Sequence, residues 1–405
     1  MNKKITRFPS GTVKIPPSKS ILHRAVICAA LAGVEVKLSP VSDDIDATVR
    51  CVNALTTEPQ EGEGELQLDC GESGSTLRFL IPIAAALGKS AVFTGRGRLM
   101  SRPLEPFLDE LRRHGAVIEQ EPDAINVSGA LRAGRYELPG DISSQFVTGL
   151  LFALPLLRGD SEIHLTSPLE SAAYVDLTVE ELEKSGIEIT RDGADFAVRG
   201  NQEFAAREVA AEGDYSQAAF FLAAAALGRD VRCEGLNPDS TQGDAAILQI
   251  LQDAGFEIEL ASTVRVLPRG GQISRRNRTV LPVEIDVSGI PDLVPPVAAL
   301  LSVADGTSRL YNAGRLRLKE SDRLEAVAAE LNAIGADIEI DDDALIIYGR
   351  KSLDGGTVNA RGDHRIAMMA AVAAIRSDAP VTVIGAECVS KSYPNFWKDF
   401  EVSAK

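Results

Sequence analysis

Residues 71–88 read GESGSTLRFLIPIAAALG, a turn rich in glycine and serine that runs into an almost wholly apolar segment. The same order of polar turn and apolar helix pattern recurs at PPSKSILHR (16–24), GDISSQFVTG (140–149), GDYSQAAFF (213–221), SGIPDLVPP (288–296) and GDHRIAMM (362–369). The spacings between equivalent turns are 53, 70, 73, 75 and 73 residues, which is too long for the usual solenoid periods. This repeat predicts a packing unit that is built six times.

Each unit continues in a similar way after its apolar helix. A run of alternating apolar and polar residues, such as VEVKLSPV (34–41), predicts a half-buried strand. An amphipathic helix follows in most units, and in four of them a glycine then stops the helix before a predicted hairpin. We therefore predict a β-α-β-α-β-β unit with one buried and one surface helix, and six units grouped into two three-unit domains. If the buried helices of a domain run parallel, their N-termini meet on one face, where free N–H groups favour anions.

The composition excludes several classes of protein. The chain has 405 residues and a formal net charge of −16, which argues against nucleic acid and anionic membranes as partners. The sequence shows neither a signal peptide nor an apolar stretch long enough to cross a bilayer, so we expect a cytoplasmic protein. The five cysteines are scattered without a CxxC pair, and the four histidines lack metal-ligand spacing. We expect reduced thiols and no metal site.

Cationic side chains are concentrated in the turns and strand ends of this acidic chain. They are Lys19, Arg24, Arg78, Arg102, Lys319, Arg323, Arg365 and Lys391. Any one of them could be a solvated surface charge or part of a salt bridge at a strand end. Together with helix N-termini, they predict a binding site for phosphates and carboxylates.

Two carboxylates stand among these cations, and each has a structural alternative. Asp292, in GIPDLVPP, is either a helix N-cap or a group that faces the anion site. Glu320, in LKESDR, is either an ion-pair partner at the start of a surface helix or a second group of the site. A carboxylate facing a cationic site is a natural general base or acid for a hydroxyl. No Walker loop, dinucleotide fingerprint or nucleophile elbow is present.

Eight motifs at matching separations identify a family. They are PPSKSILHR, SDD (42–44), GESGSTLR, RLMSRP, SSQF, LKESDR, GDHRIAM and KSYPNFW. In this order they closely resemble the 5-enolpyruvylshikimate-3-phosphate (EPSP) synthase family over residues 8–400. The resemblance implies a two-domain inverse α/β barrel, the enolpyruvyl transferase fold, made of six β-α-β-α-β-β repeats. It also implies domains of residues 17–213 and of residues 1–16 with 214–405, hinge crossings near 17 and 213, and an interdomain cleft.

The resemblance further implies transfer of the enolpyruvyl group of phosphoenolpyruvate to the 5-hydroxyl of shikimate 3-phosphate, on the route to chorismate and the aromatic amino acids. The implied shikimate 3-phosphate contacts are Lys19, Ser20, Arg24, Ser143, Ser144, Gln145, Ser171, Tyr174, Asp292 and Lys319. The implied phosphoenolpyruvate contacts are Lys19, Gly74, Arg102, Gln145, Arg323, Arg365 and Lys391. Asp292 is the expected base for the 5-hydroxyl, and Glu320 and Lys19 are candidates for the remaining proton transfers. The resemblance implies no metal or organic cofactor and a monomer.

Two departures and two alternatives accompany this interpretation. Glu72 replaces an Asn common in the glycine loop, and Arg315 stands where an Asn often contacts the shikimate phosphate. One alternative is the sister enzyme that acts on UDP-N-acetylglucosamine, which usually has a Cys or Asp donor in the loop that here reads GRGRLMSRP. The other is a non-catalytic repeat protein that only binds anions. Asp292 and Glu320 among the cations argue against the second alternative.

Overall fold

The computed structural model describes residues 1–39, 41–57, 65–206, 208–269 and 279–401. The strands of these ranges are β1 (Asn2–Ile5), β2 (Gly11–Lys14), β3 (Leu66–Asp69), β4 (Ala91–Thr94), β5 (Ala116–Gln120), β6 (Ala124–Gly129), β7 (Arg135–Leu138), β8 (Ser161–Leu165), β9 (Ile189–Asp192), β10 (Asp195–Val198), β11 (Val231–Glu234), β12 (Phe256–Leu260), β13 (Thr263–Pro268), β14 (Glu284–Asp286), β15 (Thr307–Tyr311), β16 (Ile338–Asp341), β17 (Ala344–Tyr348), β18 (Gly356–Asn359) and β19 (Val381–Ile384).

The helices of the same ranges are α1 (Lys19–Leu31), α2 (Asp43–Thr56), α3 (Gly74–Ala86), α4 (Phe107–Arg113), α5 (Ser144–Ala153), α6 (Ala172–Lys184), α7 (Tyr215–Ala226), α8 (Ile247–Asp253), α9 (Val294–Leu301), α10 (Arg323–Asn332), α11 (His364–Ala373) and α12 (Phe396–Phe400). None of these helices is both long enough and apolar enough to cross a bilayer.

The chain divides into two compact units. One contains Met1–Ser18 together with Glu212–Lys405, and the other contains Lys19–Ala211. We call the first the split unit and the second the inserted unit. The N-terminal segment belongs to the split unit because β1 pairs with β19 and β2 pairs with β11. The cleft and hinge expected from the resemblance stay predictions.

One sheet topology is repeated in both units. The inserted unit contains sheets of order β3-β4-β6-β5 and β7-β8-β10-β9, and the split unit contains β14-β15-β17-β16 and β2-β11-β13-β12. In each sheet the first two strands are parallel and the remaining pairs are antiparallel, as between β3 and β4 and then β4, β6 and β5. In the last of these sheets β2 occupies the position of the first strand, so the N-terminus supplies the strand that the fourth repeat lacks. Strands β18, β19 and β1 form the sheet of the sixth repeat.

The predicted strand at residues 34–41 is wrong for the part that the structure describes, because residues 34–39 and 41 belong to no strand. The main chain of Val36 bonds to a side chain instead. Its N–H donates to Asn53 Oδ1 at 3.1 Å, and its carbonyl accepts from Asn53 Nδ2 at 2.9 Å. These bonds tie the segment to α2 rather than to a neighbouring strand. The segment TEPQEGEGE (57–65), which replaces the hairpin in this first and shorter repeat, lies outside the described residues except at its two ends.

The first helix of each repeat forms the interior of its unit. All residues of α7, α9 and α11 are buried in the core of the split unit, while α1, α3 and α5 contribute to the core of the inserted unit. The second helices expose one side, as in α8, where only Ile247, Ile250 and Leu251 are buried. Each unit therefore has helices inside and sheets outside, the inverse of the usual α/β arrangement. The prediction of one buried and one surface helix per repeat is confirmed.

The turns that precede four of the buried helices supply their N-caps. Ser73, Ser143, Asp214 and Asp363 accept hydrogen bonds from the first-turn N–H groups of α3, α5, α7 and α11. Helix α9 differs, since its N-cap is Leu293 and makes no side-chain cap bond. The N-cap alternative for Asp292 is therefore wrong, and the carboxylate is available for other partners.

Candidate active site

The start of α1 provides the first group of predicted site residues in the inserted unit. Lys19 Nζ lies 2.8 Å from Asp44 Oδ2, and the Lys19 side chain is 19% exposed. Asp44 is the second aspartate of the SDD motif, and it lies in the first turn of α2. The pair leaves the lysine accessible while fixing its direction.

Arg24 joins α1 to α6. Its Nη1 donates to the carbonyl of Ser20 at 2.6 Å, and its Nη2 donates to the carbonyl of Tyr174 at 2.6 Å. Burial lowers the pKa of Arg24 to about 10, so the guanidinium remains cationic at neutral pH. Ser171 precedes α6 in the left-handed conformation (φ 55°), and its carbonyl accepts from the N–H of Tyr174. The structure therefore brings four of the predicted shikimate 3-phosphate contacts to the junction of two helix N-termini.

The glycine loop and α5 form a second group around Arg78. Arg78 Nη1 donates to Gln145 Oε1 at 3.2 Å, and Gln145 Nε2 donates to Ser75 Oγ at 2.9 Å. A Cβ atom built on Gly74 would lie 2.6 Å from Arg78 Nη1 and 2.9 Å from Arg102 Nη1. Two guanidinium groups therefore lie directly against the first residue of α3, where only a glycine leaves them this room.

Ser143 and Ser144 begin α5 beside Gln145. The Ser143 hydroxyl accepts from the N–H of Gln145 at 3.3 Å, and Ser144 is buried. Hydroxyls and first-turn N–H groups at such a helix start suit a phosphate oxygen.

Glu72, the departure in the glycine loop, lies beside a neighbouring loop. Its carboxyl carbon would be 3.0 Å from a Cβ atom built on Gly97. The carboxylate therefore packs against the backbone of the GRGRLMSRP segment.

Asp292 is the centre of the site residues in the split unit. Its Oδ1 accepts from Arg323 Nη1 at 2.8 Å, and its Oδ2 accepts from Arg365 Nη2 at 2.9 Å. Arg365 Nη1 also donates to the main-chain carbonyl of Asp292 at 3.2 Å. The two arginine side chains are buried, whereas the side chain of Asp292 is 22% exposed. One accessible carboxylate thus forms ion pairs with two buried arginines at the same time.

Arg323 is held by two more carboxylates. Its Nε donates to Asp363 Oδ2 at 2.9 Å, and its Nη2 donates to Glu320 Oε2 at 2.6 Å. Glu320 Oε1 also lies 3.8 Å from Lys391 Nζ. Glu320 therefore does form the ion pair that one of its two alternatives predicted. Through this ion pair, Glu320 also contacts Arg323, another of the predicted site residues. The surface-charge alternative is wrong for Arg323, Arg365 and Lys391, which are buried.

Burial and the neighbouring charges shift the pKa values of Asp292, Lys319 and Arg323. Burial would raise the pKa of Asp292, but Arg365, Lys319 and Arg323 overcome that effect and hold the pKa well below its usual range. Burial lowers the pKa of Lys319 to about 8, although Asp292 opposes the shift. Burial also acts to lower the pKa of Arg323, but Asp363 and Glu320 outweigh it and raise the pKa above its usual value. Asp292 is therefore ionised and only weakly basic in this arrangement.

Sequence reasoning missed three residues that support these groups, namely Asp363, Ser216 and Asp244. Asp363 was visible only as part of the GDHR turn, whereas Arg78 was among the cations of the predicted anion site but was given no substrate contact. Ser216 Oγ lies 3.0 Å from Arg365 Nη2, and Asp244 accepts a hydrogen bond from Ser216. Nothing in the turn GDYSQ or in the segment TQGDAA marked these two residues, because their partners are distant in the sequence.

The inverse α/β units, with hydroxyl-rich helix starts and a carboxylate held between arginines, define a protein of the enolpyruvyl transferase type. The sequence model described as EPSP synthase (3-phosphoshikimate 1-carboxyvinyltransferase) matches residues 4–400. The chain therefore belongs to the EPSP synthase family.

Individual relatives agree with this assignment. The chain is 46% identical to a 3-phosphoshikimate 1-carboxyvinyltransferase of Clostridium kluyveri, with 96% of this chain and 94% of the relative covered. It is 41% identical to the protein of that name from Clostridioides difficile, with 97% and 95% covered. Among solved structures, EPSP synthase from Acinetobacter baumannii matches with a TM-score of 0.75 and 26% identity over 98% of this chain and 97% of that one. The enolpyruvyl transferase NikO from Streptomyces tendae shares the fold, with a TM-score of 0.72 and 16% identity over 98% of this chain and 96% of that one.

Proposed function

We propose that this chain transfers the enolpyruvyl group of phosphoenolpyruvate to the 5-hydroxyl of shikimate 3-phosphate and releases phosphate. Membership of the EPSP synthase family supports this reaction. The observation that contributes most is the pairing of Asp292 with both Arg323 and Arg365. It joins a potential base to two cations that suit a substrate carboxylate.

Shikimate 3-phosphate is the substrate that we assign to the hydroxyl-rich helix starts. Its proposed contacts are Lys19, Ser20, Arg24, Ser143, Ser144, Gln145, Ser171, Tyr174, Asp292 and Lys319. The junction of α1 and α6 at Arg24 and the start of α5 at Ser143 supply hydroxyl and N–H donors. Donors of this kind, with a nearby guanidinium, are the usual partners of a phosphate group.

Phosphoenolpyruvate is the substrate that we assign to the larger set of cations. Its proposed contacts are Lys19, Gly74, Arg102, Gln145, Arg323, Arg365 and Lys391. The molecule has a carboxylate and a phosphate, so it needs two groups of donors. Arg323 and Arg365 form one such group, since both already bind a carboxylate, that of Asp292. Arg102, which lies beside Gly74, belongs to the other.

The reaction proceeds by addition and then elimination. The 5-hydroxyl oxygen adds to C2 of phosphoenolpyruvate while C3 gains a proton, which gives a tetrahedral ketal phosphate. C3 then loses a proton, the bond from C2 to the phosphate oxygen breaks, and the enol ether forms. Fixed cations stabilise the charge that develops on the phosphate.

Asp292 is the proposed acceptor of the 5-hydroxyl proton, although its pKa lies well below the usual range while both arginines hold it. When a substrate carboxylate engages Arg323 and Arg365, its negative charge offsets theirs and the basicity of Asp292 rises. Binding of phosphoenolpyruvate thus increases the basicity of Asp292, the group that accepts the 5-hydroxyl proton in the proposed reaction. Glu320 and Lys19 are proposed for proton transfer at C3 and at the leaving phosphate.

The test is phosphate release by the purified chain with phosphoenolpyruvate and either shikimate 3-phosphate or UDP-N-acetylglucosamine. We expect release only with shikimate 3-phosphate, together with a product whose mass shows the added enolpyruvyl group. Release only with UDP-N-acetylglucosamine would replace the proposed function with that of the sister enzyme. No release with either acceptor, in a folded protein that binds phosphoenolpyruvate, would favour a non-catalytic anion-binding protein.

We also propose that the enzyme acts as a monomer in the cytoplasm. The net charge of −16 keeps copies of the chain apart and soluble in water. Light scattering coupled to size-exclusion chromatography measures the molar mass, and a mass of about twice 43.1 kDa would contradict the monomer.

A further inference from the structure

The turn GDYSQ is the start of a buried helix to which the sequence gave no chemical role. Ser216 lies in the first turn of α7, is buried, and has its Oγ 3.0 Å from Arg365 Nη2. Asp244, buried in the short 3₁₀ segment Gly243–Ala246, accepts a hydrogen bond from the Ser216 hydroxyl. Asp244, Ser216 and Arg365 therefore form a buried chain of hydrogen bonds that ends at Asp292.

We propose that Ser216 and Asp244 are positioning residues that fix the guanidinium of Arg365 for the carboxylate of phosphoenolpyruvate. This inference rests on the proposed function, which assigns Arg365 to that carboxylate. Neither residue touches the substrate or reacts with it. Their effect is transmitted through one nitrogen of Arg365.

The direction of the hydrogen bonds explains how the pair acts. An ionised carboxylate can only accept hydrogen bonds, so the Ser216 hydroxyl donates a hydrogen bond to Asp244 and presents an oxygen lone pair to Arg365. Burial and the nearby Asp292 raise the pKa of Asp244 to about 6, which still leaves it ionised at neutral pH. Asp244 thus fixes the orientation of the serine hydroxyl.

Capping does not account for these contacts. The cap of α7 is Asp214, whose carboxylate accepts from the N–H of Gln217 at 3.1 Å. The cap position before the segment of Asp244 is Gln242, which makes no side-chain cap bond. Ser216 and Asp244 are therefore not required to begin either helical segment.

The Ser216 contact can orient Arg365 when Asp292 no longer does. Arg365 Nη2 is shared between Asp292 Oδ2 and Ser216 Oγ. When a substrate carboxylate replaces Asp292, the Ser216 contact continues to orient the same nitrogen. An arginine held on one side binds the incoming carboxylate with less loss of side-chain entropy.

The first experiment compares Ser216→Ala and Asp244→Asn with Ser302→Ala in steady-state kinetics. Ser302 is a matched control because it is a buried serine of the same unit whose hydroxyl donates to the carbonyl of Ala298. We expect Ser216→Ala to raise the KM for phosphoenolpyruvate by about tenfold or more, as for loss of a bond to a charged group. Asp244→Asn, which keeps the shape, should raise it less, and Ser302→Ala should not change it.

The split between the two substrates separates positioning from general damage. The KM for shikimate 3-phosphate should stay within about twofold of the wild type in all three variants, because Arg365 is assigned to the other substrate. An equal rise in both KM values, or an unchanged KM for phosphoenolpyruvate in both Ser216→Ala and Asp244→Asn, would overturn the proposal. If Ser216→Ala does not fold, Asp244→Asn alone decides between these outcomes.

A second experiment combines Ser216→Ala with Arg365→Lys. If Ser216 acts through Arg365, its loss should change the KM for phosphoenolpyruvate little in the Arg365→Lys background. Equal effects in both backgrounds would overturn the positioning role while leaving the proposed function intact. If Arg365→Lys alone leaves the use of phosphoenolpyruvate unchanged, the assignment of Arg365 fails, and the positioning role fails with it.

Discussion

Asp292 and Arg323 form an ion pair in which Oδ1 of the accessible carboxylate lies 2.8 Å from Nη1 of the buried guanidinium. Arg365 occupies the other carboxylate oxygen at 2.9 Å. The proposed base and the proposed carboxylate-binding arginines are therefore already paired before substrate binds. A substrate carboxylate must compete with Asp292 for these donors, and this competition links binding to the strength of the base.

Asp292→Asn should separate binding from chemistry. The amide keeps the shape of the side chain but cannot accept the 5-hydroxyl proton, so kcat should fall by about 10²–10⁴. Affinity for phosphoenolpyruvate should be unchanged or higher, because an amide competes less well for Arg323 and Arg365. Steady-state kinetics and calorimetric titration in the presence of shikimate 3-phosphate measure the two quantities.

Asp286→Asn is the control for this variant. Asp286 is an exposed carboxylate at the end of β14, and it accepts from the N–H of Ser288 and from Asn312 Nδ2. Its replacement should leave both kcat and affinity near their wild-type values. A wild-type kcat in Asp292→Asn would remove Asp292 from the role of base.

The affinity for shikimate 3-phosphate should depend on the titration of Lys319. Burial lowers the pKa of this lysine to about 8, so raising the pH through 8 removes its charge in the free enzyme. The cation favours the anionic substrate, and the bound form therefore takes up a proton at high pH. Affinity should be constant below about pH 7 and fall by up to about tenfold per pH unit above 8.

Lys319→Arg tests the origin of this decrease. Arginine stays protonated over the whole range, so the variant should lose the decrease above pH 8 even if its affinity at neutral pH is lower. Calorimetric titrations between pH 6.5 and pH 9.5, about the range in which one lysine would titrate, give both curves. The same decrease in wild type and variant would assign the titration to another group.

The repeat made most of the fold predictable from the sequence. Turns such as GESGST and the alanine-rich segments that follow them have local preferences for a turn and a helix, and the structure has a turn and a helix there. Long-range pairings are harder to predict from local sequence. Neither strand indicates that β2 pairs with β11, and only the resemblance grouped residues 1–16 with 214–405. Residues 34–41 were predicted as a strand, but Asn53 bonds the main chain of Val36.

Candidate site residues could be predicted where they belong to a sequence motif. Residues that only contact a motif residue in the folded structure could not be predicted. Glu320 and Arg323 could be proposed because charged residues of opposite sign stand close together in LKESDR, and Asp292 because its turn is one of the six repeated helix starts. Asp244 could not be, because an aspartate in TQGDAA resembles any aspartate near a helix start. Its partner Ser216 is 28 residues away, and only the packed structure brings them together.

Gly74→Ala should impair the use of phosphoenolpyruvate with little effect on stability. The new methyl group would lie 2.6 Å from Arg78 Nη1 and 2.9 Å from Arg102 Nη1, so the tips of these flexible side chains must move. A displaced Arg102 should raise the KM for phosphoenolpyruvate by about tenfold or more. Gly314→Ala is the control, since its nearest neighbour would be Asp343 Cβ at an ordinary 3.6 Å. An unchanged KM in Gly74→Ala would show that the loop has room to adjust.

Asp363→Ala should destabilise the protein more than any change at an exposed carboxylate. Asp363 is fully buried, accepts from Arg323 Nε at 2.9 Å, and caps α11 through the N–H of Arg365 at 2.9 Å. Its loss leaves the buried Arg323 with Asp292 and Glu320 and removes the cap, which should cost about 3–5 kcal/mol of unfolding free energy. Urea unfolding followed by circular dichroism measures this change. The control is Asp378→Ala, at an exposed carboxylate that accepts from Ser352 Oγ, where a change within about 0.5 kcal/mol is expected. Equal stability of the two variants would mean that Asp292 and Glu320 alone balance Arg323, and that the third carboxylate serves neither the cluster nor the helix.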